Sequence, residues 1–274
     1  MHPGGLNRLT LLSGLLLIFA LFWGDATAAF AKTSPSRQNQ GAKAQIQAVT
    51  AARAAVGTRS LTHKDERCSV MVNYPQVGNS KIDAELDYWA GKTVSTFVSG
   101  VSSLGPKGET RFSMLVDYEF SESSDNFLSI IFRINTETGG PHPDPGMVAF
   151  TYDLSDGRKL GLQDIFSDTA GLLEFLSAYS YETLLDELGP AHEKGIKQGT
   201  GRDFVNFSLF ALRPDGLVFY FPPYQVADYA LGEQQVVVSL DKLERFKPRP
   251  GVWRNKSTFN SGQVRLGMLD CQPQ

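Results

Sequence analysis

The chain is poor in cysteine and histidine and carries no strong charge of either sign, and each shortage closes off a class of chemistry. Its two cysteines, Cys68 and Cys271, in 274 residues are too few for a four-thiolate metal site, and no Cys-x-x-Cys redox pair occurs. Beyond the N-terminal segment the histidines are His63, His142 and His192, none in a ligand-like spacing, so no metal and no cofactor is expected. A formal net charge of −3 offers no basic face for nucleic acid. The nucleophile elbow G-x-S-x-G, the zinc motif H-E-x-x-H and the Walker loop are missing, and there is no internal repeat. What the chain does have is aromatic bulk: 11% of its residues, with 18 phenylalanines, enough to build a large core.

The N-terminus reads as an export signal. Arg8 precedes an apolar run from Leu9 to Trp23, and a small-residue stretch, Ala26-Thr27-Ala28-Ala29-Phe30-Ala31, follows. These are the three parts of a secretory signal peptide. The expected cut lies after Ala31, with Ala28 and Ala29 as further positions. The run is short for a membrane span, which needs about twenty residues, so no stable span is expected after cleavage, although retention as an anchor is the competing reading. The mature chain is expected in the periplasm or outside the cell. In that oxidising compartment the two cysteines are expected to pair as a Cys68–Cys271 disulfide. Closing so long a loop stabilises by about 5 kcal/mol in the chain-entropy model.

Residues 32–65 read as a flexible basic linker. Lys32, Arg37, Lys43, Arg53 and Arg59 have no acidic counterpart up to Ser60, and Ala42 to Val56 carries only weak helical propensity. Folding is expected from Glu66. An N-terminal subdomain over 66–126 begins with a strand from Cys68 to Tyr74. A helix from Asn79 to Val98 follows, with Ile82, Leu86, Trp89, Ala90, Val94 and Phe97 at three- and four-residue steps. Strands are expected at Arg111–Phe120, Phe127–Asn135 and Met147–Leu154. A helical region starts at Leu162 and continues from Ala170 to Leu188, where Gly189-Pro190 ends it. Phe204–Leu212 and Leu217–Phe221 flank the turn Arg213-Pro214-Asp215-Gly216. A strand at Gln235–Leu240 and a helical turn at Asp241–Phe246 close a C-terminal domain over 127–246. Residues 247–274 form a tail, with a further strand at Gln263–Leu269. Hairpins interrupted by helices argue for an α+β fold: mostly antiparallel sheets packed with helices, in two sequential subdomains.

Few segments carry chemistry. Asp164, Asp168 and Glu174 read either as paired carboxylates for glycoside hydrolysis or, more simply, as charges at helix starts. His142 sits in a proline-rich turn with Asp144, too few ligands for a metal. The segment from Gly216 to Gly232 stands out. An apolar strand ends in Pro222-Pro223, which fixes φ and removes two backbone donors. Tyr224 and Tyr229 follow on a stiff loop, suited to a partner protein or a sugar face. The alternative is that these rings fold back onto the core. Pro222, Pro223, Tyr224, Val226, Tyr229 and His142 are the candidate contact residues, and none is assigned a catalytic role.

Three stretches together resemble a known family. They are Phe127-Leu128-Ser129-Ile130 running into Thr138-Gly139-Gly140-Pro141-His142-Pro143; Tyr152-Asp153-Leu154 with Asp156-Gly157 and Leu162-Gln163-Asp164-Ile165-Phe166; and Asn206-Phe207 through Gly216-Leu217-Val218-Phe219-Tyr220-Phe221 to Tyr224-Gln225-Val226-Ala227 and Gly232. In order and spacing they are similar to an extracytoplasmic domain shared by the lysozyme-sensing anti-sigma factor RsiV and the non-catalytic part of the peptidoglycan deacetylase PdaC. Asp228 stands where that pattern often has proline. The resemblance implies a non-enzymatic, envelope-binding domain whose partner is a lysozyme-like protein or a peptidoglycan glycan. The competing expectation is a wall-directed hydrolase with a carboxylate site.

Overall fold

The computed structural model describes residues 57–104, 111–121, 126–140 and 142–253. The signal segment, the stretch 42–56, Cys271 and the strand expected at 263–269 lie outside these residues. The chain forms two compact units. Among the described residues, the first takes those from 57 to 120 and from 130 to 158, and the second takes 121, 126–129 and 159–253. The division thus falls at 158/159 rather than at 126/127, with a short segment from the earlier hairpin assigned to the second unit.

The first strand, β1 (Gly57–Lys64), lies in what the sequence reads as linker. Its side chains are almost all exposed, so it shows no alternating apolar pattern. It is an edge strand, antiparallel to β2 (Cys68–Gln76) with Gly57 opposite Gln76 and Lys64 opposite Ser69, and Arg59 and Ser60 add side-chain bonds to Asp87 and Asn73. Then comes α1 (Ser80–Ser103). Asn79 caps it, its side-chain oxygen accepting from the Lys81 and Ile82 amides. Asp83 in the first turn accepts from the Val77 and Gly78 amides at 2.7 and 3.1 Å, which seals the entry to the helix. The buried stripe Ile82, Leu86, Ala90, Thr93, Phe97 and Val101 packs on β2. On the same helix, Trp89 meets Phe132 with ring centroids 4.2 Å apart.

The chain then returns as β3 (Phe112–Ser121), parallel to β2. The helix is thus the crossover of a β-α-β unit, because a parallel neighbour cannot be reached by a tight turn. Strands β4 (Phe127–Glu137), β5 (Asp144–Asp153) and the short β6 (Arg158–Lys159) complete a six-stranded sheet in simple chain order, β1 to β6. The fold is α+β with mostly antiparallel pairing, as the hairpin pattern suggests; β2–β3 is the departure.

The second unit begins with α2 (Leu162–Ile165) and α3 (Thr169–Leu188). They are separate because Phe166 is extended and bridges Pro248. A short helix absent from the sequence reading, α4 (Glu193–Gly199), follows. Phe204–Phe207 is a 3-10 turn rather than the start of a strand. The Asp203 carboxylate accepts from the Val205 amide and starts the turn, so β7 is only Phe210–Arg213. It pairs antiparallel with β8 (Gly216–Phe221), which pairs antiparallel with β9 (Gln234–Ser239). The helical turn after β9 is present as α5 (Leu240–Leu243). Every residue of β8 is buried, as expected of a central strand covered on both faces. Leu172, Leu176, Leu184, Ile196, Phe207 and Phe219 are among the side chains that close the core of this unit.

Candidate functional site

Strand β8 delivers the chain into the aromatic loop. Pro222 and Pro223 end the ladder, since neither can donate to it. The loop then ties itself together: the Gln225 amide donates to Pro222 O at 3.1 Å and the Tyr224 amide to Ala227 O at 2.9 Å. From below, the Gln225 side-chain amide donates to Gly199 O and Asn206 O, both at 3.0 Å. Two glycines of α4 let the loop approach this closely. A Cβ on Gly199 would stand 2.1 Å from Gln225 O, and one on Gly195 would stand 2.7 Å from Val226 O. Val226, read from sequence as a contact residue, is fully buried in the core. It anchors the loop because its apolar side chain gains more from burial than from a solvent-facing position.

Tyr224 behaves in the opposite way. It is 62% exposed, so it does not fold back as a cap on the core. Its φ is +74°, the left-handed region that a bulky non-glycine residue adopts at a cost. Its ring lies 5.9 Å from that of Tyr229, tilted by 31°. Tyr229 is half-buried, as are both prolines. Beside Tyr224 opens a cleft of about 200 Å³, lined by Ala191, His192, Gly195, Val226, Ala227 and Asp228 as well as Tyr224 itself. His192 and Asp228 are its titratable side chains apart from the phenol, and among these described residues there is no thiol or alkyl hydroxyl to serve as a nucleophile. The arrangement offers one exposed aromatic face, a neutral floor, and two polar groups able to exchange hydrogen bonds.

A family model described as "Protein of unknown function (DUF3298)" matches residues 163–241, the stretch that holds α3, α4, the β7–β9 sheet and the cleft. Over that stretch the chain is similar to the DUF3298 family. It is 31% identical over 187 residues to the peptidoglycan-N-acetylmuramic acid deacetylase PdaC of Bacillus subtilis, a match covering 68% of this chain and 40% of that protein. It thus spans less than half the length of that relative. It is 22% identical over 162 residues to the immunogenic protein MPT64 of Mycobacterium tuberculosis, covering 58% of this chain and 70% of the other. The crystal structure of a DUF3298 family protein from Pseudomonas aeruginosa superposes with a TM-score of 0.56 at 15% identity, covering 72% of this chain and 96% of that one. That likeness bears out the α+β fold, and the resemblance to the PdaC-like domain read from the motifs stands.

Within the matched stretch, the three carboxylates singled out by sequence are engaged in structure. Asp164 accepts from the Gly161 amide at 2.9 Å and Asp168 from the Gly171 amide at 3.0 Å, both at helix starts. Glu174 pairs with Arg202 at 2.8 Å. The helix-start reading accounts for Asp164 and Asp168, while Glu174 lies beyond the first turn of α3 and is held by Arg202. His142 lies outside the matched stretch, in the first unit, half-buried with its Nδ1 3.1 Å from Pro143 O.

The first unit holds a constellation that sequence spacing did not reveal. One side-chain atom each from His63, Asp65 and Cys68 lies within 4.8 Å of the others. His63 and Cys68 flank a tight turn on β1 and β2, with Asp65 inside it. The Asp65 carboxyl is held well below the usual carboxylate range, chiefly by its hydrogen bond with His63 and then by the Cys68 and Arg67 amides. Burial, then the Asp65 charge, pushes the Cys68 thiol up. The disulfide expected between Cys68 and Cys271 reaches outside the described residues. No helix among the described residues is long and apolar enough to cross a membrane.

Proposed function

We propose that the chain is a non-catalytic binding module of the cell envelope, working outside the cytoplasm, that takes a saccharide of the wall glycan onto the Tyr224 face. The observation that carries this reading is Tyr224 itself: a large ring exposed and held in an unfavourable backbone conformation by a loop that is otherwise fully tied down. Strain persists where the surroundings over-determine it, and such positions cluster at ligand sites. A loop braced by two prolines and the Gln225 bonds loses little entropy on binding. A tyrosine ring has an apolar face for sugar C–H groups and a hydroxyl for hydrogen bonds. The cleft is smaller than the roughly 300–1,000 Å³ of a pocket that engulfs a ligand. It suits one ring of a longer polymer lying across the surface, with His192 and Asp228 reaching the hydroxyls. A relative named for its action on peptidoglycan supports the choice of polymer.

The test is co-sedimentation of the purified full chain with purified peptidoglycan, with soluble lysozyme in a parallel pull-down. Retention by peptidoglycan that Tyr224→Ala abolishes supports the reading. Capture by lysozyme with no retention by peptidoglycan would transfer the site to a protein partner. Release of soluble wall fragments, lost in Asp228→Asn or His192→Ala, would establish the hydrolase instead.

A further inference from the structure

The turn between β1 and β2 brings three metal-ligating side chains together by register rather than by sequence spacing. His63 lies opposite Val70 in the pairing. Side chains alternate faces along a strand, so His63 and Val70 share a face, and Cys68, two residues before Val70, shares it too. Asp65 sits in the turn between them. Its Oδ1 accepts from the Arg67 and Cys68 amides, both at 2.7 Å. The Asp65 amide donates to Cys68 O at 3.0 Å and closes the turn. With one carboxylate oxygen locked by the backbone, the other is aimed between the remaining two groups. Oδ2 lies 2.9 Å from His63 Nε2 and 3.8 Å from Cys68 Sγ.

We infer that this His63–Asp65–Cys68 turn is a binding site for a zinc-class divalent cation, clipping the two ends of the β1–β2 hairpin. Nitrogen, oxygen and sulfur ligands bind zinc at about 2.0–2.3 Å in a tetrahedron, which sets the donors roughly 3.3–3.7 Å apart. The Asp65 Oδ2 separations of 2.9 and 3.8 Å bracket that range, and the three donor atoms all lie within 4.8 Å of one another, so a cation enters by small adjustments of these three side chains. His63 binds as the neutral imidazole, with its proton on Nδ1 so that Nε2 is free to ligate, and Cys68 releases its thiol proton to solvent. The backbone amides that grip Oδ1 play the orienting part that outer partners play in established zinc sites. Asp65 is exposed and His63 half-exposed, so the cation has an entry path, and the fourth position falls to water. Cys68 is buried, which shields the thiolate bond. The clip acts on an edge strand whose side chains contribute little burial.

The experiment uses the full chain, stripped with a chelator and reduced with a phosphine. Cobalt(II) is titrated in, and the thiolate-to-cobalt charge-transfer band in the near ultraviolet is followed. The expected result is one cobalt per chain with that band, displaced by zinc. It is lost in Cys68→Ser, retained in Cys271→Ser, and weakened at least about tenfold in Asp65→Asn. Zinc should also slow amide hydrogen exchange in β1 while leaving α1 unchanged. This readout needs no cysteine variant, and it separates a clip from a general effect on folding. No charge-transfer band, a band that survives Cys68→Ser, or a Cys68–Cys271 disulfide in the exported chain would overturn the inference.

Discussion

Replacing Tyr224 by glycine separates a contact residue from a core residue, because the two roles predict very different magnitudes. At φ +74° a tyrosine backbone is destabilised by about 1–2 kcal/mol relative to the right-handed region, and glycine relieves this. Against that stand glycine's larger loss of freedom on folding, about 0.5–1 kcal/mol, and the contact with the Tyr229 ring at 5.9 Å, toward the low end of about 0.5–1.5 kcal/mol for so exposed a pair. The terms nearly cancel. Tyr224→Gly should therefore leave stability within about 1 kcal/mol of the parent, a shift of no more than about 2–4 °C in a protein of this size. Tyr224→Ala keeps the strain and loses the ring, so it should melt below the glycine variant. Calorimetry of the three proteins reads this directly. If the ring instead capped the core, either variant would lose about 3–5 kcal/mol. That result would refute the assignment of Tyr224 as an outward-facing contact.

Further outcomes follow from the same geometry. Gly199→Ala places a Cβ 2.1 Å from Gln225 O; overpacking of this kind costs about 1–3 kcal/mol or more, and the variant should melt lower and lose glycan retention together. Asn79→Ala removes the cap of α1 and should cost about 1 kcal/mol in denaturant unfolding, with retention unchanged. Asp87 beside Arg59 and Asp215 beside Arg213 both have carboxyl groups held below their ordinary range, chiefly by those hydrogen bonds. Their stabilisation is present above the unfolded carboxylate value near pH 4 and is lost as the pH falls through the lower folded values. An acid titration of stability should therefore decline below about pH 4, and Asp87→Asn and Asp215→Asn should each flatten that limb.

How much of this is legible in the sequence depends on which force builds each part. Helix α1 and strand β8 are visible because burial writes them as a stripe at three- and four-residue steps and as an unbroken apolar run. Strand β1 is invisible because its side chains are almost all exposed and polar, so no alternating apolar pattern marks it. The parallel β2–β3 step is hidden for a related reason: a strand's sequence does not announce its neighbour's direction. Helix α4 is too short and too rich in glycine to show a pattern, although Gly195 and Gly199 are what admit the loop. Pro222-Pro223 and the two tyrosines announce a stiff aromatic loop, but His192 reaches it only through the fold. The His63, Asp65 and Cys68 cluster likewise depends on strand register. An H-x-D-x-x-C spacing reads as a ligand set only once the hairpin is known to turn inside it.

The central claim is that Tyr224 presents its ring to wall glycan, and the most direct measurement is the binding isotherm of the full chain on purified peptidoglycan with and without Tyr224→Ala. A hot-spot aromatic carries at least about 2 kcal/mol, so the account predicts a loss of affinity of at least about thirtyfold in a variant that remains folded by circular dichroism. Equal binding by parent and variant, or no binding by the parent, would contradict it.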